Sequence, residues 1–392
     1  MGSDDERGSP VSDDRVVDHR ASGIRVVTDC NRGRPVCAGC CSADSGRGMT
    51  RLNHADTLLS GSAVADDDLL RITDLKVSFR KGRRHLLPVI DAANLHLRPN
   101  EAVGIVGESG SGKSMLCRAL IGTLGRHRAV VVGGSIRYRG EELARASENT
   151  WRRIRGREIA YVPQSSLAGL NPVLSIGTQL AESIQVIKPI DRQTAMQRAL
   201  ELLEQVRIPR ARHLLKEYPH QLSGGMRQRV MIAAALAQEP RLLIADEPTT
   251  ALDVTIQHEI LVLLATLRRE LGMALILVSH DLAVIEMVCD SMMVMYAGAS
   301  VEAGGMEVMT THPRHPYTRS LRESRVDSAK PGMDLETIPG EPMSVGFWSA
   351  GCRFAPRCWL ADDDCRQGEH PPLYPVDNQL SACIHTDRMD AR

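Results

Sequence analysis

The feature that most constrains this chain is a glycine-rich stretch between an apolar run and the start of a helix. The stretch, Gly107-Glu-Ser-Gly-Ser-Gly-Lys-Ser114, follows a buried-strand pattern at residues 102–106 and precedes a helix pattern at residues 115–120. Glycines let successive backbone N–H groups point at a polyphosphate, and the helix N-terminus adds a partial charge of roughly +0.5. The spacing and the Lys-Ser ending predict a Walker A phosphate loop rather than a turn without a ligand. In such a loop Lys113 contacts the β- and γ-phosphates and Ser114 binds Mg²⁺.

Length and composition fit one large α/β domain with smaller segments at its ends. The chain has 392 residues, 43% of them hydrophobic, and a formal net charge of zero. It therefore has no general bias towards nucleic acid or anionic lipid. No apolar run approaches the ~18–20 residues that cross a bilayer, and the polar N-terminus shows no secretory signal. We expect a cytosolic protein, in which structural disulfides are rare.

The N-terminal part of the chain differs in composition from the rest. Residues 1–66 are rich in Asp, Ser, Gly and Arg with little apolar periodicity, so we predict a disordered tail. Its Cys37 and Cys40 have C-x-x-C spacing, but a single pair is weak evidence for a metal site. From Leu69 onward, alternating apolar and polar residues indicate a half-exposed strand that includes Phe79. Phe79 can stack on a nucleotide base or pack in the core, and the sequence leaves both roles open.

A second glycine-containing stretch, with Gly224 and Gly225, begins a helix pattern that runs to Ala237. Ser223 precedes it as a candidate N-cap, and the glycines leave the first amides of the helix accessible to an anion. This predicts a second anion site, separate from the phosphate loop. Two such sites in one chain suggest head-to-tail dimers in which each nucleotide lies between two subunits.

Acidic, amide and imidazole side chains follow three further strand patterns. Asp246 and Glu247 end an apolar strand, on which successive side chains point to opposite faces. Asp246 can therefore hold Mg²⁺ while Glu247 polarises the water that attacks the γ-phosphate. Gln164 can contact Mg²⁺ or that water, or it is an ordinary polar loop residue. His280 ends another buried strand pattern, and we predict that it contacts the γ-phosphate and positions the water.

Together these residues resemble an ATP-binding cassette (ABC) ATPase over roughly residues 69–312. The order GESGSGKS, YVPQ, LSGGM, LLIADEP, Ala-Leu-Asp and a terminal His matches that family, and LSGG is specific to it among P-loop ATPases. Met226 stands where many members have Gln. The resemblance implies an α/β fold: a RecA-like, mostly parallel sheet, an antiparallel β subdomain, a helical subdomain and a small Cys-rich C-terminal extension.

The resemblance also implies domain bounds and site residues. It divides the chain into the tail (1–66), a nucleotide-binding domain (67–312) with the helical subdomain at about 165–222, and an extension (313–392). Glu247, His280 and Gln164 are the implied catalytic residues, and Ser114, Gln164 and Asp246 the implied Mg²⁺ ligands. The implied ATP contacts are Phe79, Gly107, Ser109, Gly110, Ser111, Gly112, Lys113, Ser114, Met115, Ser223, Gly224, Gly225 and Asp253.

Several stretches look more narrowly like the dipeptide/oligopeptide importer branch: Leu170-Asn-Pro-Val173, residues 220–230, residues 311–319 and the segment ending Arg-Phe-Ala-Pro-Arg-Cys358. This implies an ATPase subunit that pairs with a second, different ABC ATPase beneath two transmembrane permeases. An extracytoplasmic solute-binding protein would supply the cargo, and the chain would lie peripherally on the cytoplasmic face of the membrane without a nucleic-acid partner. The alternative is a soluble ABC ATPase acting on ribosomes or DNA, but such proteins usually carry two cassettes or long insertions. The cargo itself stays open.

Four cysteines, Cys352, Cys358, Cys365 and Cys383, lie in a loop-rich segment of low apolar content that needs a cross-link. Four thiolates can bind Zn²⁺ or a [4Fe–4S] cluster, although the spacing matches neither a zinc ribbon nor a bacterial ferredoxin. The resemblance to longer members of the importer branch favours the iron–sulfur cluster. Zinc and reduced thiols are the alternatives. A cluster here can also serve as a redox sensor that gates ATP hydrolysis.

Overall fold

The computed structural model describes residues 68–82, 85–165, 169–325 and 337–391, together with the backbone of two short strands nearer the N-terminus. These strands, β1 (Val26–Thr28) and β2 (Pro35–Cys37), pair antiparallel. The predicted disordered tail otherwise lies outside the described residues, as does Cys40. Within the described ranges, no helix is both long enough and apolar enough to cross a membrane.

The main sheet combines an antiparallel part with a mostly parallel part. Its strands are β3 (Leu70–Lys81), β4 (His85–Leu97), β5 (Ala102–Val106), β6 (Ala129–Tyr138), β7 (Glu141–Glu142), β8 (Ile159–Val162), β9 (Leu242–Asp246), β10 (Ala274–Ser279), β11 (Ser291–Tyr296), β12 (Ala299–Gly305), β13 (Tyr374–Val376) and β14 (Gln379–Ser381). The order is β7-β6-β3-β4-β12-β11-β5-β10-β9-β8, with β14 pairing to β12 and β13. Strands β7, β6, β3 and β4 are antiparallel, whereas β11, β5, β10, β9 and β8 are parallel.

Ten α-helices connect these strands within the described ranges. They are α1 (Lys113–Leu120), α2 (Glu148–Ile154), α3 (Ile176–Gln185), α4 (Arg192–Gln205), α5 (Ala211–Leu214), α6 (Gly224–Leu236), α7 (Val254–Leu271), α8 (Leu282–Val288), α9 (Met306–Thr311) and α10 (Pro316–Glu323). Polar residues stop several helices from fraying: Ser175 accepts a hydrogen bond from the N–H of Thr178, and Asp191 accepts one from that of Thr194. Helices α3, α4 and α5 occupy the segment predicted to be a helical subdomain.

The parallel strands bring the ends of distant segments to one edge of the sheet. Strands β5, β9 and β10 are buried along their whole length, as expected for strands covered on both faces. Val278 of β10 pairs with Asp246 of β9, and Ser279 pairs with Val106 of β5. Because the strands are parallel, their carboxyl ends meet at the same edge. The phosphate loop and the residues after Asp246 and Ser279 all continue from there.

The C-terminal segment packs on the same sheet through an aromatic cluster. The ring centroids of Tyr296 and Tyr317 lie 4.7 Å apart, and Phe354 lies 5.3 Å from each. All three rings are buried. Such pairs add about 0.5–1.5 kcal/mol each beyond the burial of their area. The segment that carries the four cysteines therefore shares the hydrophobic core of the cassette.

A buried carboxyl group lies where this segment meets the sheet. Glu302 of β12 is fully buried and accepts a hydrogen bond from the backbone N–H of Arg314. Its strand neighbour across the sheet is Ser381 of β14. Burial raises the pKa of Glu302 to about 8, more than the hydrogen bonds to the carboxyl lower it. The folded protein therefore holds a proton on this group at neutral pH.

We predict that Glu302→Gln removes a pH dependence of stability. The folded state keeps the proton up to about pH 8, whereas the unfolded chain releases it near the ordinary pKa of 4.5. Between these values the folded state binds more protons, so the free energy of unfolding of the wild type falls as pH rises, by up to about 1.4 kcal/mol per unit. Urea denaturation from pH 5 to 8 should show the variant gaining stability relative to the wild type. A difference that does not change with pH would contradict the prediction.

Candidate nucleotide site

The phosphate loop folds as an arch around the ammonium group of Lys113. Gly107 has φ +157°, and a Cβ there would lie 2.2 Å from the carbonyl oxygen of Met295. Gly112, with φ +105°, begins α1 as its N-cap. The Nζ of Lys113 donates to the carbonyl oxygens of Gly107 (2.6 Å) and Glu108 (2.9 Å). Glycine at these positions therefore lets the loop close tightly on a buried cation.

The other loop residues predicted to contact ATP differ in their exposure to solvent. Ser109 and Gly110 are exposed at the tip, whereas Ser111 is buried. The side chain of Met115 is also buried. Burial lowers the pKa of Lys113, and the carboxylates of Glu247 and Asp246 act in the opposite direction. The loop thus holds one cation between neighbouring acids.

The predicted Mg²⁺ ligands Ser114 and Asp246 are brought together. The Ser114 hydroxyl donates to Oδ1 of Asp246 (3.2 Å), and the Tyr161 hydroxyl donates to Oδ2 (3.0 Å). Burial raises the pKa of Asp246, against the effect of these two hydrogen bonds. Hydroxyl and carboxylate oxygens are ligands that Mg²⁺ prefers, so the donor set fits this ion. Tyr161 was not among the predicted site residues, although it lies in the YVPQ stretch.

Glu247 lies at the centre of a polar cluster made by three loops. Its Oε2 accepts hydrogen bonds from Nε2 of Gln164 (2.8 Å) and Oγ1 of Thr250 (3.0 Å). Nδ1 of His280 lies 3.6 Å from Oε1. Glu247 also has φ +47°, a left-handed conformation that costs a non-glycine residue about 1 kcal/mol or more. Other interactions of the fold therefore offset the cost of this backbone conformation, which holds the carboxylate beside the phosphate loop.

The LSGG stretch and the Ala-Leu-Asp stretch each cap a helix. The Ser223 hydroxyl accepts a hydrogen bond from the N–H of Met226 (3.3 Å), in the N-cap role expected from the sequence. Asp253 caps α7 by accepting from the N–H of Ile256 (2.9 Å). Within the described part of the chain, the hydrogen bonds of Ser223 are local to α6 and do not reach the phosphate loop. Gly224 and Gly225 form the first turn of α6.

Phe79, the candidate for stacking on a nucleotide base, lies near the end of β3. It is half-buried, pairs across the sheet with Leu87 and Ala129, and packs partly against the core. One part of the ring therefore contributes to packing while another part is accessible. Both roles left open by the sequence remain compatible with this position.

The outer side of the phosphate loop is covered by the C-terminal segment. The backbone N–H of Glu108 donates to the hydroxyl of Tyr317 (2.8 Å). The guanidinium of Arg357 donates to both carboxylate oxygens of Glu108, at 2.6 and 3.0 Å. Sequence reasoning missed both contacts. The only signal was that both residues lie in the stretches that resemble the importer branch.

The four predicted cysteine ligands line one common hollow, together with Phe354 and other apolar side chains. They are free thiols, and Cys383 interacts electrostatically with the other three: Cys352, Cys358 and Cys365. Burial raises the pKa of Cys358 to about 11 and that of Cys383 to about 12, so without a cation they are protonated at neutral pH.

A tighter group of donors lies at the rim of this hollow. Ligand atoms of Asp362, Cys365 and His385 all lie within 4.8 Å of one another, and among the described residues this is the one group of three or more at such separations. A single Zn²⁺ with Zn–S bonds of about 2.3 Å would hold four sulfurs roughly 3.8 Å apart. The four thiols are therefore gathered in one place, but more widely than a tetrahedral zinc site requires.

Comparison with known proteins supports the assignment of these motifs. The sequence profile described as "ABC transporter" matches residues 90–250, and one described as "Oligopeptide/dipeptide transporter, C-terminal region" matches residues 301–365. An ATP-binding protein of Brucella abortus (strain 2308), named for peptide import, is 47% identical over 302 residues, covering 76% of this chain and 89% of the relative. The oligopeptide transport ATP-binding protein OppD of Escherichia coli (strain K12) is 41% identical over 321 residues, covering 81% of this chain and 93% of OppD.

Solved structures confirm the predicted fold class of the cassette. The dimeric ATP-binding cassette MJ0796, in a post-hydrolysis state bound to ADP and Pi, superposes with a TM-score of 0.54 at 25% identity, covering 60% of this chain and 98% of that chain. The ABC transporter component cbiO1 from Clostridium perfringens gives 0.53 at 26% identity, covering 63% and 92%. With the phosphate loop, the Asp246–Glu247 pair and the LSGG helix in place, this chain belongs to the ATP-hydrolysing subunits of ABC transporters.

Proposed function

We propose that this protein hydrolyses ATP to power a membrane importer of di- or oligopeptides. The observation that carries the proposal is the match of residues 301–365 to the oligopeptide/dipeptide transporter C-terminal region, which follows the residues of the nucleotide site along the chain. The names of the Brucella and Escherichia relatives support the same cargo. The cargo of an importer is selected mainly by other subunits, so the length of the peptide is left to experiment.

The site geometry supports hydrolysis by positioning and electrostatic stabilisation. Lys113 and the loop amides hold the phosphates, while Ser114 and Asp246 would hold Mg²⁺, which supplies positive charge to the β- and γ-phosphate oxygens when bound. Glu247 accepts a hydrogen bond from the attacking water and orients it. Gln164, already bonded to Glu247, and His280 complete the polar wall around that water.

We further propose that the complete site forms between two ATPase subunits. The first turn of α6, with Ser223 as its cap, presents N–H groups that are not used by the phosphate loop of the same chain. The phosphate of a nucleotide held in a partner's phosphate loop can supply the anion, and the dimeric state of MJ0796 supports this arrangement. The second subunit is a different ABC ATPase, and both lie peripherally on the cytoplasmic face of the membrane beneath two permeases. An extracytoplasmic solute-binding protein delivers the peptide.

Glu247→Gln should retain ATP binding but slow hydrolysis by a factor on the order of 10² to 10⁴, the usual contribution of a positioned general base. The amide keeps the size of the side chain but cannot accept a proton. Single-turnover hydrolysis and equilibrium binding of MgATP would be measured side by side. Lys113→Ala is the comparison variant, since it should weaken binding itself. Near-normal turnover in Glu247→Gln would remove Glu247 from this role.

Purification of the native protein in mild detergent tests the transport proposal. Mass spectrometry should identify two permeases, a second ABC ATPase and a solute-binding protein, and the ligand eluted from the binding protein would name the cargo. Co-purifying ribosomal proteins or DNA, without membrane subunits, would instead favour the alternative of a soluble ABC ATPase and overturn the transport proposal.

We also propose that the four cysteines hold a metal centre, and that this centre is a [4Fe–4S] cluster rather than a zinc ion. The support is that four thiols from a loop-rich segment line one hollow, where no three of the four sulfurs lie within 4.8 Å of one another. A cluster of four irons separates its thiolates more than one ion does. The same centre would cross-link residues 352–383, which contain few regular elements.

Cys358→Ser should lower the iron and sulfide content of anaerobically purified protein and reduce the melting temperature of the C-terminal segment. Cys289→Ala is the matched control, because Cys289 is a buried thiol outside the hollow and its loss should leave the metal content unchanged. Zinc without sulfide in the wild type would replace the cluster by a zinc site. Protein free of both metals would show that the thiols are simply reduced.

A further inference from the structure

The phosphate loop, which we propose binds the polyanionic phosphates of ATP, itself contains an acidic residue, Glu108. Glu108 is the second residue of the phosphate loop, and its side chain is about one quarter exposed, at 24%. Its backbone carbonyl accepts a hydrogen bond from Lys113 (2.9 Å), and its carboxylate also interacts electrostatically with that ammonium group. A negative charge at this position opposes the binding of a nucleoside triphosphate unless another group neutralises it.

The neutralising group comes from the far end of the chain. Arg357 binds both carboxylate oxygens of Glu108 in a fork, and its own side chain is only 4% exposed. Its guanidinium also lies 5.8 Å from the ring centroid of Tyr296 and 6.0 Å from that of Phe354. The Nε of Arg357 donates to the carbonyl oxygen of Pro339 (2.8 Å). These contacts fix the guanidinium in one orientation.

We propose that Arg357 is a positioning residue for ATP: it neutralises Glu108 and holds the phosphate loop in its binding conformation. The inference rests on the proposed nucleotide site but not on the metal centre. It makes the affinity for nucleotide depend on the cysteine-bearing segment, because Arg357 lies between Cys352 and Cys358. A change in that segment can thereby reach the phosphate loop through a single ion pair.

Two further contacts hold the phosphate loop from its outer side, one from Tyr317 of α10 and one from Gly298 in the turn between β11 and β12. Tyr317 accepts the backbone N–H of Glu108 (2.8 Å), and the N–H of Gly298 donates to the carbonyl oxygen of Ser111 (3.0 Å). Neither contact carries charge. The electrostatic part of the coupling therefore lies in the pair formed by Arg357 and Glu108, and it can be separated experimentally from packing.

The test is the affinity of the full chain for MgATPγS, a slowly hydrolysed nucleotide, in the wild type, in Arg357→Gln and in a double variant that adds Glu108→Gln. Arg357→Gln leaves the charge of Glu108 without its partner and should raise the Kd about tenfold. Glu108→Gln combined with Arg357→Gln removes both charges and should recover most of the lost affinity. The defect of the single variant should shrink at high ionic strength, since salt screens an exposed charge. A purely structural role of Arg357 predicts neither the recovery nor the salt effect.

Arg353→Gln is the matched control in the same segment. Arg353 is equally buried but pairs with Asp91 and the carbonyl oxygen of Ala297, away from Glu108. Any loss of affinity in Arg353→Gln should not be recovered by Glu108→Gln. If Arg357→Gln does not fold, Arg357→Lys serves instead: it loses the two-pronged hydrogen bonding but keeps the positive charge beside Glu108, so it should bind within about threefold of the wild type.

Any of four results would overturn the inference. A Kd of Arg357→Gln equal to that of the wild type would show that the charge of Glu108 does not matter. A double variant as weak as the single one would show that only packing is at stake, as would a tenfold loss in Arg357→Lys that Glu108→Gln does not recover. Wild-type protein that fails to bind MgATPγS, or binds it as Lys113→Ala does, would instead overturn the nucleotide site itself and this inference with it.

Discussion

The burial of parallel strands is the constraint on which the rest of this structure depends. Strands β5, β9 and β10 are buried on both faces, so polar side chains of these segments can reach solvent or a ligand only at the strand ends. Parallel pairing puts those ends at one edge, where the phosphate loop, the Asp246–Glu247 pair and His280 meet. The chemistry of the site follows from this arrangement, since no single segment holds more than part of it.

The same edge concentrates charge in a partly dry environment. Lys113 is buried among Glu247, Asp246 and Glu108, and the acids offset the burial that lowers its pKa. Asp246 in turn depends on hydroxyl donors from Ser114 and Tyr161. These charged groups stabilise one another through direct contacts, so the side chains that we propose for phosphate and cation binding are held in place by their neighbours. This preorganisation is what a reaction governed by positioning requires.

The features of the site that could be predicted are those formed by residues close together in the sequence. The phosphate loop, the acidic pair at the end of β9 and the cap at Ser223 each lie in a few consecutive residues, and the structure has each at the strand end or helix start that the sequence indicated. The ion pair of Arg357 and Glu108 joins residues 249 positions apart, and the hydrogen bond of Tyr161 to Asp246 spans 85. Neither has a periodic pattern or a turn chemistry, because each depends on how parts of the chain that are distant in sequence pack together. Phe79 stayed ambiguous for a related reason: an aromatic residue on a half-exposed strand satisfies packing and stacking alike.

The C-terminal segment illustrates how a small, loop-rich extension becomes part of an enzyme site. Two arginines four positions apart tie it down: Arg353 to Asp91 of β4, and Arg357 to Glu108 of the phosphate loop. Arg353 also lies 3.8 Å from the ring centroid of Trp348, so its cation is covered by the segment itself. One end of this short stretch therefore reaches the antiparallel part of the sheet, and the other reaches the nucleotide site. Because Cys352 and Cys358 flank both arginines, any cross-link among the cysteines also limits the freedom of both ion pairs. The extension is thus a structural support for the phosphate loop rather than an independent appendage.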